Sequence, residues 1–346
     1  MTASFSTSAL DLDPALACAE IETIIRDQVL HKLHRRGVVV GLSGGVDSSV
    51  VASLCVRALG ADKVFALLMP EQESAPESLR LGKLVASKLG LAFATESITP
   101  ILIAAGCYRR RDEAIQTVIP EYGEGWKAKL VVGGASGYSF STIIAESPKG
   151  ERHSARLTLQ AYLGIVSATN FKQRARKMLE YYHADRLHYA VAGSPNRLEY
   201  DLGFFVKCGD GAADLKPIAH LYKRQVYQLA EWLGVPEEIR LRPPTTDTYS
   251  LAQSQEEFYF SSPLISMDVC LLGKDLGISA AQVASATSLS PKDVERIYAN
   301  IDARRRTATY LHQAPLLVTP VPQFSDRVDR TVRAGSQKRI PREPTH

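Results

Sequence analysis

Val38-Val39-Val40-Gly41-Leu42-Ser43-Gly44-Gly45-Val46-Asp47-Ser48-Ser49 is the stretch whose reading decides the fold. Its apolar run Val38–Val40 reads as a buried strand. The helical apolar pattern from Val50 to Leu59 reads as the helix after a tight turn. Ser43, Gly44 and Gly45 leave room for an anion close to the main chain, and Ser48 and Ser49 add hydroxyls. The helix N-terminus beyond supplies free N–H groups and the positive end of its dipole, so such a turn binds phosphate. No Gly-Lys-Ser/Thr closes it and Gly-x-Gly-x-x-Gly is absent, which excludes the two commonest phosphate loops. Asp47 stands where the lysine would be. A carboxylate beside bound phosphates repels them unless a divalent cation lies between, so the stretch predicts phosphate together with Mg2+. The plainer alternative is a Gly-Gly turn with Asp47 as a helix cap.

Outward from this turn, strands and helices alternate. Asp13-Pro14 starts a helix whose apolar stripe runs through Ala15, Ala17, Ile21, Ile24, Ile25, Val29 and Leu30. Buried strands are expected at Gly37–Leu42, Val64–Met69, Ala92–Ile98 and Leu187–Ala192. Helices are expected at Ser48–Leu59, Glu77–Leu89, Gln173–Tyr182 and Leu221–Leu233. This order predicts an α/β fold, a doubly wound and mainly parallel sheet with helices on both faces. The region 99–158, with its charge run Arg109–Glu113 and Gly-rich Gly133–Tyr138, is less regular; it reads as a solvated insertion, with a lid or a dimer surface as alternatives. Capping patterns at Ser279–Gln282 and Ser290–Asp293 predict a pair of short helices packed on the main domain. Arg304-Arg305-Arg306 reads as a solvated basic face, with phosphate contact as the alternative, and from Val321 the chain has little to bury. The expected organisation is therefore a domain at 13–275, a helical extension at 276–320 and a disordered tail at 321–346.

The 346 residues are 45% apolar, enough for a sizeable core. The net charge of +4 is mild and much of it lies in the tail, so nucleic acid is not an expected partner. Five scattered cysteines without Cys-x-x-Cys suit a reducing, cytoplasmic compartment. Neither a signal peptide nor a membrane span is expected, since no basic start leads into an apolar core and no run of about 18 apolar residues occurs.

A second constellation follows the strand at Leu187–Ala192, at the end of the sheet where ligands bind. It comprises Gly193-Ser194-Pro195-Asn196-Arg197-Leu198-Glu199 and then Gly203-Phe204-Phe205-Val206-Lys207-Cys208-Gly209-Asp210-Gly211-Ala212-Ala213-Asp214. Polar groups interleaved with small residues suit a site needing close backbone approach; a Gly-rich surface loop is the alternative.

The Ser-Gly-Gly-Val-Asp-Ser turn resembles the pyrophosphate loop of the N-type ATP pyrophosphatases. The second constellation, with Leu221-Tyr222-Lys223-Arg224-Gln225, Asn170–Arg176 and Pro244-Thr245-Thr246-Asp247, resembles the signatures of the NAD synthetase family in family order. The single-domain, ammonia-using form is the one resembled. The resemblance implies an ATP-dependent amide ligase. It would adenylate nicotinic acid adenine dinucleotide, release pyrophosphate and amidate with ammonia. Asp47 and Glu199 would hold Mg2+ on ATP, while Ser43, Gly44, Gly45, Ser48, Ser194, Lys223 and Thr245 would bind ATP. Asn170, Arg174, Lys207 and Asp214 would bind the dinucleotide. Asp210, Lys207 and Lys223 would be catalytic, Asp210 at the ammonia site, where its glycine neighbours would leave a small pocket. The family habit also implies a homodimer, through the helix at Ala15–Leu30 or that at Gln173–Tyr182. Ser194 replaces the family threonine and keeps the hydroxyl. The family's downstream Asp-Glu and Leu-Gly-x-x-Tyr run is replaced by Gln253–Phe260. A ligase for a different carboxylate and a non-catalytic nucleotide-binding protein are the competing readings.

Overall fold

β1 (Val38–Gly41) is the centre of the sheet. In the computed structural model, which describes residues 5–133, 140–244, 248–253, 259 and 263–321, it pairs in parallel with two strands. β2 (Val64–Leu68) lies on one side, with Val38 opposite Val64. A short late strand, β7 (Ala190–Ala192), lies on the other, with Val38 opposite Ala190. β3 (Ala92–Thr95) pairs with β2, and the order β3-β2-β1-β7 is parallel throughout. Side chains alternate between two covered faces. Val38, Val40, Val64, Ala66, Ala190 and Ala192 join the core beneath α1 (Pro14–Arg26), α2 (Val46–Leu59) and α8 (Lys223–Trp232). Val39, Leu67 and Val191 join the opposite core with α4 (Thr99–Ala104), α5 (Cys107–Gln116) and α6 (Leu159–Leu187). The doubly wound parallel sheet expected from the sequence is the fold.

Local chemistry sets the helix starts. Asp13 Oδ1 accepts from Ala15 N at 2.9 Å and Leu16 N at 3.1 Å, with Pro14 in the first turn. α3 (Pro76–Lys88) covers β2, and α6 is a single helix of 29 residues where the sequence pattern marked only Gln173–Tyr182. That helix has no single apolar stripe, because it is partly buried on several sides along its length.

The region 99–158 is not the irregular solvated insertion expected. After α4 and α5 come three antiparallel strands, β4 (Lys127–Gly133), β5 (Phe140–Glu146) and β6 (Arg152–Arg156), with their own core of Ile115, Ile119, Tyr122, Leu130 and Ile143. Alternation in β5 and β6 is masked in the sequence by serine, threonine and arginine on the outer face.

α7 (Arg197–Leu202) follows β7, and α9 (Glu237–Arg240) follows α8. The C-terminal part is α10 (Leu264–Asp275), α11 (Ala280–Ser285) and α12 (Pro291–His312). Ser279 and Gln282 form the expected capping box. The second helix is 22 residues long, not short. Leu198 and Leu202 of α7 share a core with Leu271, Val283, Val294 and Ile301 of these helices. One compact unit runs to Leu311. The expectation for the tail falls on residues 322–346, outside the described residues.

Candidate active site

β2 and β7 flank β1, so the chain leaves neighbouring parallel strands in opposite directions and opens a crevice at their C-terminal ends. The Gly41–Ser48 turn enters it from β1 and Gly193–Glu199 from β7. A cavity of about 1040 Å³ lies there, and Ser43, Gly45, Asp47, Ser48, Asn170, Ser194, Glu199, Asp210 and Lys223 all line it.

The serines of the turn hold it together. The Ser48 hydroxyl donates to Gly45 O at 3.1 Å and lies 3.2 Å from the Ser43 hydroxyl, while the buried Ser49 donates to Gly45 O at 2.8 Å. Gly44 is not on the cavity wall. Its φ is +75°, and an added Cβ would stand 2.4 Å from Ser78 O at the start of α3. A side chain there meets both backbone strain and a carbonyl, so the turn and the close approach of α3 require this glycine.

Asp47 is the hub of the charged groups. Its Oδ2 accepts from Lys223 Nζ, and its Oδ1 accepts from Asn196 Nδ2 at 3.1 Å. Asn196 in turn caps α7. Its Oδ1 accepts from Glu199 N at 3.2 Å, while its own N–H donates to Glu199 Oε2 at 3.1 Å. One capping box therefore places both carboxylates. Burial first, and then the charge of Asp47, pushes the Glu199 pKa up to about 8. Burial works against the Lys223 ammonium, but Asp47 and Glu199 more than offset it and its pKa is raised.

Lys223 is the first residue of α8, and the N–H groups there are held from another helix. Asp268 of α10 accepts from Lys223 N at 3.2 Å and Arg224 N at 2.8 Å. Its carboxylate has no exposed surface, and burial pushes its pKa up to about 6 against those two donors. Nothing in the sequence marks Asp268, since it lies in an apolar run 45 residues from its partner.

Asp210 closes its own loop, accepting from Val206 N at 2.7 Å; burial raises its pKa. The space expected beside it is occupied. A Cβ on Gly211 would lie 2.2 Å from the Phe205 ring, and one on Gly209 would lie 2.9 Å from Gln173 Cβ. These glycines serve packing of the loop on itself and on α6, while Asp210 itself lines the cavity.

Three further expected residues stand off the cavity wall. The exposed Arg174 donates to Lys207 O at 3.3 Å, and Lys207 donates to Tyr310 O at 2.8 Å with its ammonium over the Tyr310 ring. Asp214 accepts from Val191 N at 2.7 Å and from the Tyr181 hydroxyl at 3.3 Å, finishing the edge of β7. Thr245 lies outside the described residues.

The far walls come from regions that the sequence offered only as alternatives, a lid at 99–158 and a phosphate contact at Arg304–Arg306. Leu130, Ser141 and Arg156 of the antiparallel sheet line the cavity, as do Asn300, Ala303, Arg304, Thr307 and Leu311 of α12. The α12 positions follow helical spacing, beside a buried stripe of Val294, Ile297, Ile301 and Ala308. That second stripe of polar and small residues was the available signal. Arg304 is thus on the cavity, whereas its neighbour Arg305 pairs with Asp201 and Asp275, and only Arg306 is the solvated residue expected of all three.

The NAD synthase family model matches residues 17–146 and 152–310. An NH3-dependent NAD+ synthetase of Mesorhizobium japonicum is 59% identical over 307 residues, covering 87% of this chain and 96% of the relative. The NMN synthetase structure from Francisella tularensis superposes with a TM-score of 0.62 at 22% identity, covering 90% and 99% of the two chains. The NH3-dependent NAD synthetase structure from Campylobacter jejuni gives 0.59 at 23% identity, covering 89% and 100%. At such identities these two structures bear on the fold alone, and they share it.

Proposed function

The chain belongs to the NAD synthase family, and from that premise we propose that it is an ATP-dependent ligase that amidates nicotinic acid adenine dinucleotide with ammonia to give NAD. The observation that carries this is the convergence of Asp47, Glu199 and Lys223 on the phosphate turn at the open end of a parallel sheet. The substrate carboxylate attacks the α-phosphorus of ATP, the bond to the β-phosphate oxygen breaks, and pyrophosphate leaves. Gly45 and the first N–H groups of α2 face the departing phosphates, and Lys223 offsets their charge. Ammonia then attacks the acyl carbon, AMP departs, and the nitrogen gives up a proton, for which Asp210 on the cavity wall is the proposed acceptor.

The donor set suits Mg2+. Among the described residues no third acidic or histidine side chain joins Asp47 and Glu199 to make a closed cage. Mg2+ is usually held by one or two carboxylates with substrate phosphates completing its shell. Asp47 and Glu199 would hold the ion, which when bound neutralises the phosphates during departure of pyrophosphate.

The homodimer belongs to the same proposal. α6 exposes Leu159, Leu163, Met178 and Tyr182 along its length, whereas α1 buries Cys18, Ile21 and Ile25 and exposes Leu16 and Ile24; α6 is the larger candidate surface. A monomer mass in solution at micromolar concentration would remove it. Nucleic acid and membrane are not proposed partners. No helix among the described residues is long and apolar enough to cross a membrane. Four of the five cysteines are buried thiols, which suits a cytoplasmic site of action.

The test is direct: purified protein with ATP, Mg2+, ammonium and nicotinic acid adenine dinucleotide, following pyrophosphate and NAD together. Stoichiometric formation of both is expected. Pyrophosphate release with other carboxylates but not this one would overturn the substrate. Asp210→Asn separates the half-reactions. Exchange of pyrophosphate into ATP should persist, while amide formation falls by about 100-fold or more. Equal loss of both in a folded variant would confine Asp210 to closing its loop.

A further inference from the structure

We propose that Arg304 of α12 binds the phosphate-bearing dinucleotide half of the carboxylate substrate, and does not serve ATP. The proposal rests on the reading of the reaction above and adds a residue to it.

The contrast between two adjacent arginines motivates it. Arg305 is neutralised: its guanidinium donates to Asp201 at 3.0 Å and to Asp275 at 2.6 Å, away from the cavity. Arg304 is on the cavity, and among the described residues it has no carboxylate partner. Its Nε donates to Asn300 Oδ1 at 2.6 Å, Nη2 donates to the Tyr259 carbonyl, and the guanidinium lies 3.7 Å from the centroid of the Tyr259 ring. A guanidinium has five N–H donors, and these bonds use two of them. The remaining edge and the whole positive charge are left for something in the cavity. A phosphate with two accepting oxygens matches the planar fork of a guanidinium that lines the cavity.

The surroundings hold that fork in one orientation. Tyr259 stacks on Phe204 with ring centroids 4.5 Å apart, and its hydroxyl donates to Leu202 O at 2.8 Å. Arg304 is therefore the top of a fixed stack built on the end of α7, the helix that carries Glu199. Preorganisation of this kind favours a specific contact over a loose cation at a surface.

ATP is the less suitable occupant. Its phosphates already have the Ser43–Ser48 turn, the α2 N-terminus and Lys223, all on the sheet side of the cavity. Arg304 lies on the wall contributed by α12. The second substrate carries a diphosphate of its own, and nothing else on the α12 face of the cavity, formed by Asn300, Ala303, Thr307 and Leu311, bears a positive charge.

Steady-state kinetics with each substrate varied separately, and equilibrium binding of nicotinic acid adenine dinucleotide, test the assignment. Arg304→Gln should raise the KM and Kd for the dinucleotide by about tenfold or more, with the KM for ATP held within about twofold and kcat little changed. Arg304→Lys, which keeps the charge but not the fork, should fall between, and Arg306→Gln should behave as the parent. An unchanged dinucleotide KM in a folded Arg304 variant, or an equal rise in the KM of both substrates, would overturn the proposal. If Arg304→Gln does not fold, Arg304→Lys carries the same comparison. A parent enzyme that does not amidate the dinucleotide at all overturns the reaction and this proposal together. Parent turnover with an unaffected variant overturns only the role of Arg304.

Discussion

Two buried lysines in this molecule each meet a pair of acidic residues, and they are built to opposite ends. Lys172, in α6, has no exposed surface. It donates to Glu71 at 2.8 Å, to Glu73 at 2.7 Å and to the Thr248 carbonyl at 2.7 Å, which uses all three of its donors. Arg111 grips Glu73 with bonds of 2.6 and 2.7 Å, and the Tyr108 hydroxyl donates to the other oxygen of Glu71 at 2.7 Å. Burial opposes ionisation of Glu73, but Lys172 and Arg111 overcome it and its pKa is lowered. At the centre of this cluster two cations face two carboxylates. Lys223 by contrast faces Asp47 and Glu199 in a cluster that opens on the cavity. A sealed network is a fastener. A charged network at a cavity wall is placed to meet a ligand.

The sharpest way to break this contrast is to remove each lysine cluster's key charge and compare stability with chemistry. Lys172→Met strands Glu71 and Glu73 in the interior, and loss of one partner of a buried pair costs about 3–5 kcal/mol. Urea unfolding should show that loss, while activity per folded molecule stays within severalfold of the parent. Asp47→Asn should do the reverse. Its side chain faces the cavity and Glu199 remains beside Lys223, so stability should fall less than for Lys172→Met even though the buried Lys223 loses a charged partner. Pyrophosphate exchange should fall by about 100- to 1000-fold, as an electrostatic contact at the reacting phosphates is lost. A destabilised Asp47→Asn with near-parental exchange would invert the assignment of the two clusters.

The same contrast explains what was legible in the sequence. Val38–Ser49 announced itself because a buried parallel strand is continuously apolar and a phosphate turn needs glycines in a row. Glu199 and Lys223 lay in short motifs whose members are close in sequence. Lys172 was within a quoted segment, but its partners Glu71 and Glu73 lie about 100 residues away, and nothing local distinguishes them from solvated acids. Asp268 was hidden for the same reason: it acts across a contact between helices that only the packed fold creates. Arg304 was visible as one of three arginines with phosphate contact as an alternative, and only the fold separates it from Arg305 and Arg306. The antiparallel strands of the 127–156 region escaped because their outer faces are polar, although Ser147-Pro148-Lys149-Gly150 between β5 and β6 was a readable turn. Gly44, Gly209 and Gly211 were read as space for ligands, when φ and close packing claim at least part of that space.

The smallest effect expected concerns the link between the two kinds of residue. Asp268 is buried like the sealed cluster, yet it holds the backbone of Lys223, which belongs to the open one. Its carboxyl titrates near 3.8 when unfolded and is pushed up to about 6 in the fold, chiefly by burial. The native state therefore holds this proton over a range in which the unfolded chain has released it. For a raised carboxyl the sign is fixed. The native state is favoured below the unfolded pKa, and that advantage is lost as pH rises from about 4 to about 6. Above that window the charged carboxylate is retained by the Lys223 and Arg224 N–H groups and the positive end of α8, which limit the loss without cancelling it. Asp268→Asn cannot ionise but keeps one acceptor for those donors. Between pH 4 and 6 the parent should lose on the order of 2–3 kcal/mol relative to this variant, measured as the difference of their urea-unfolding free energies. At neutral pH the variant should retain pyrophosphate exchange, because Lys223 still reaches Asp47 from a capped helix. A parent and variant with parallel stability curves would show that the Asp268 carboxyl is no more costly to ionise in the fold than in the unfolded chain. A variant that loses exchange with its stability intact would instead move Asp268 from support of α8 into the chemistry of the open cluster.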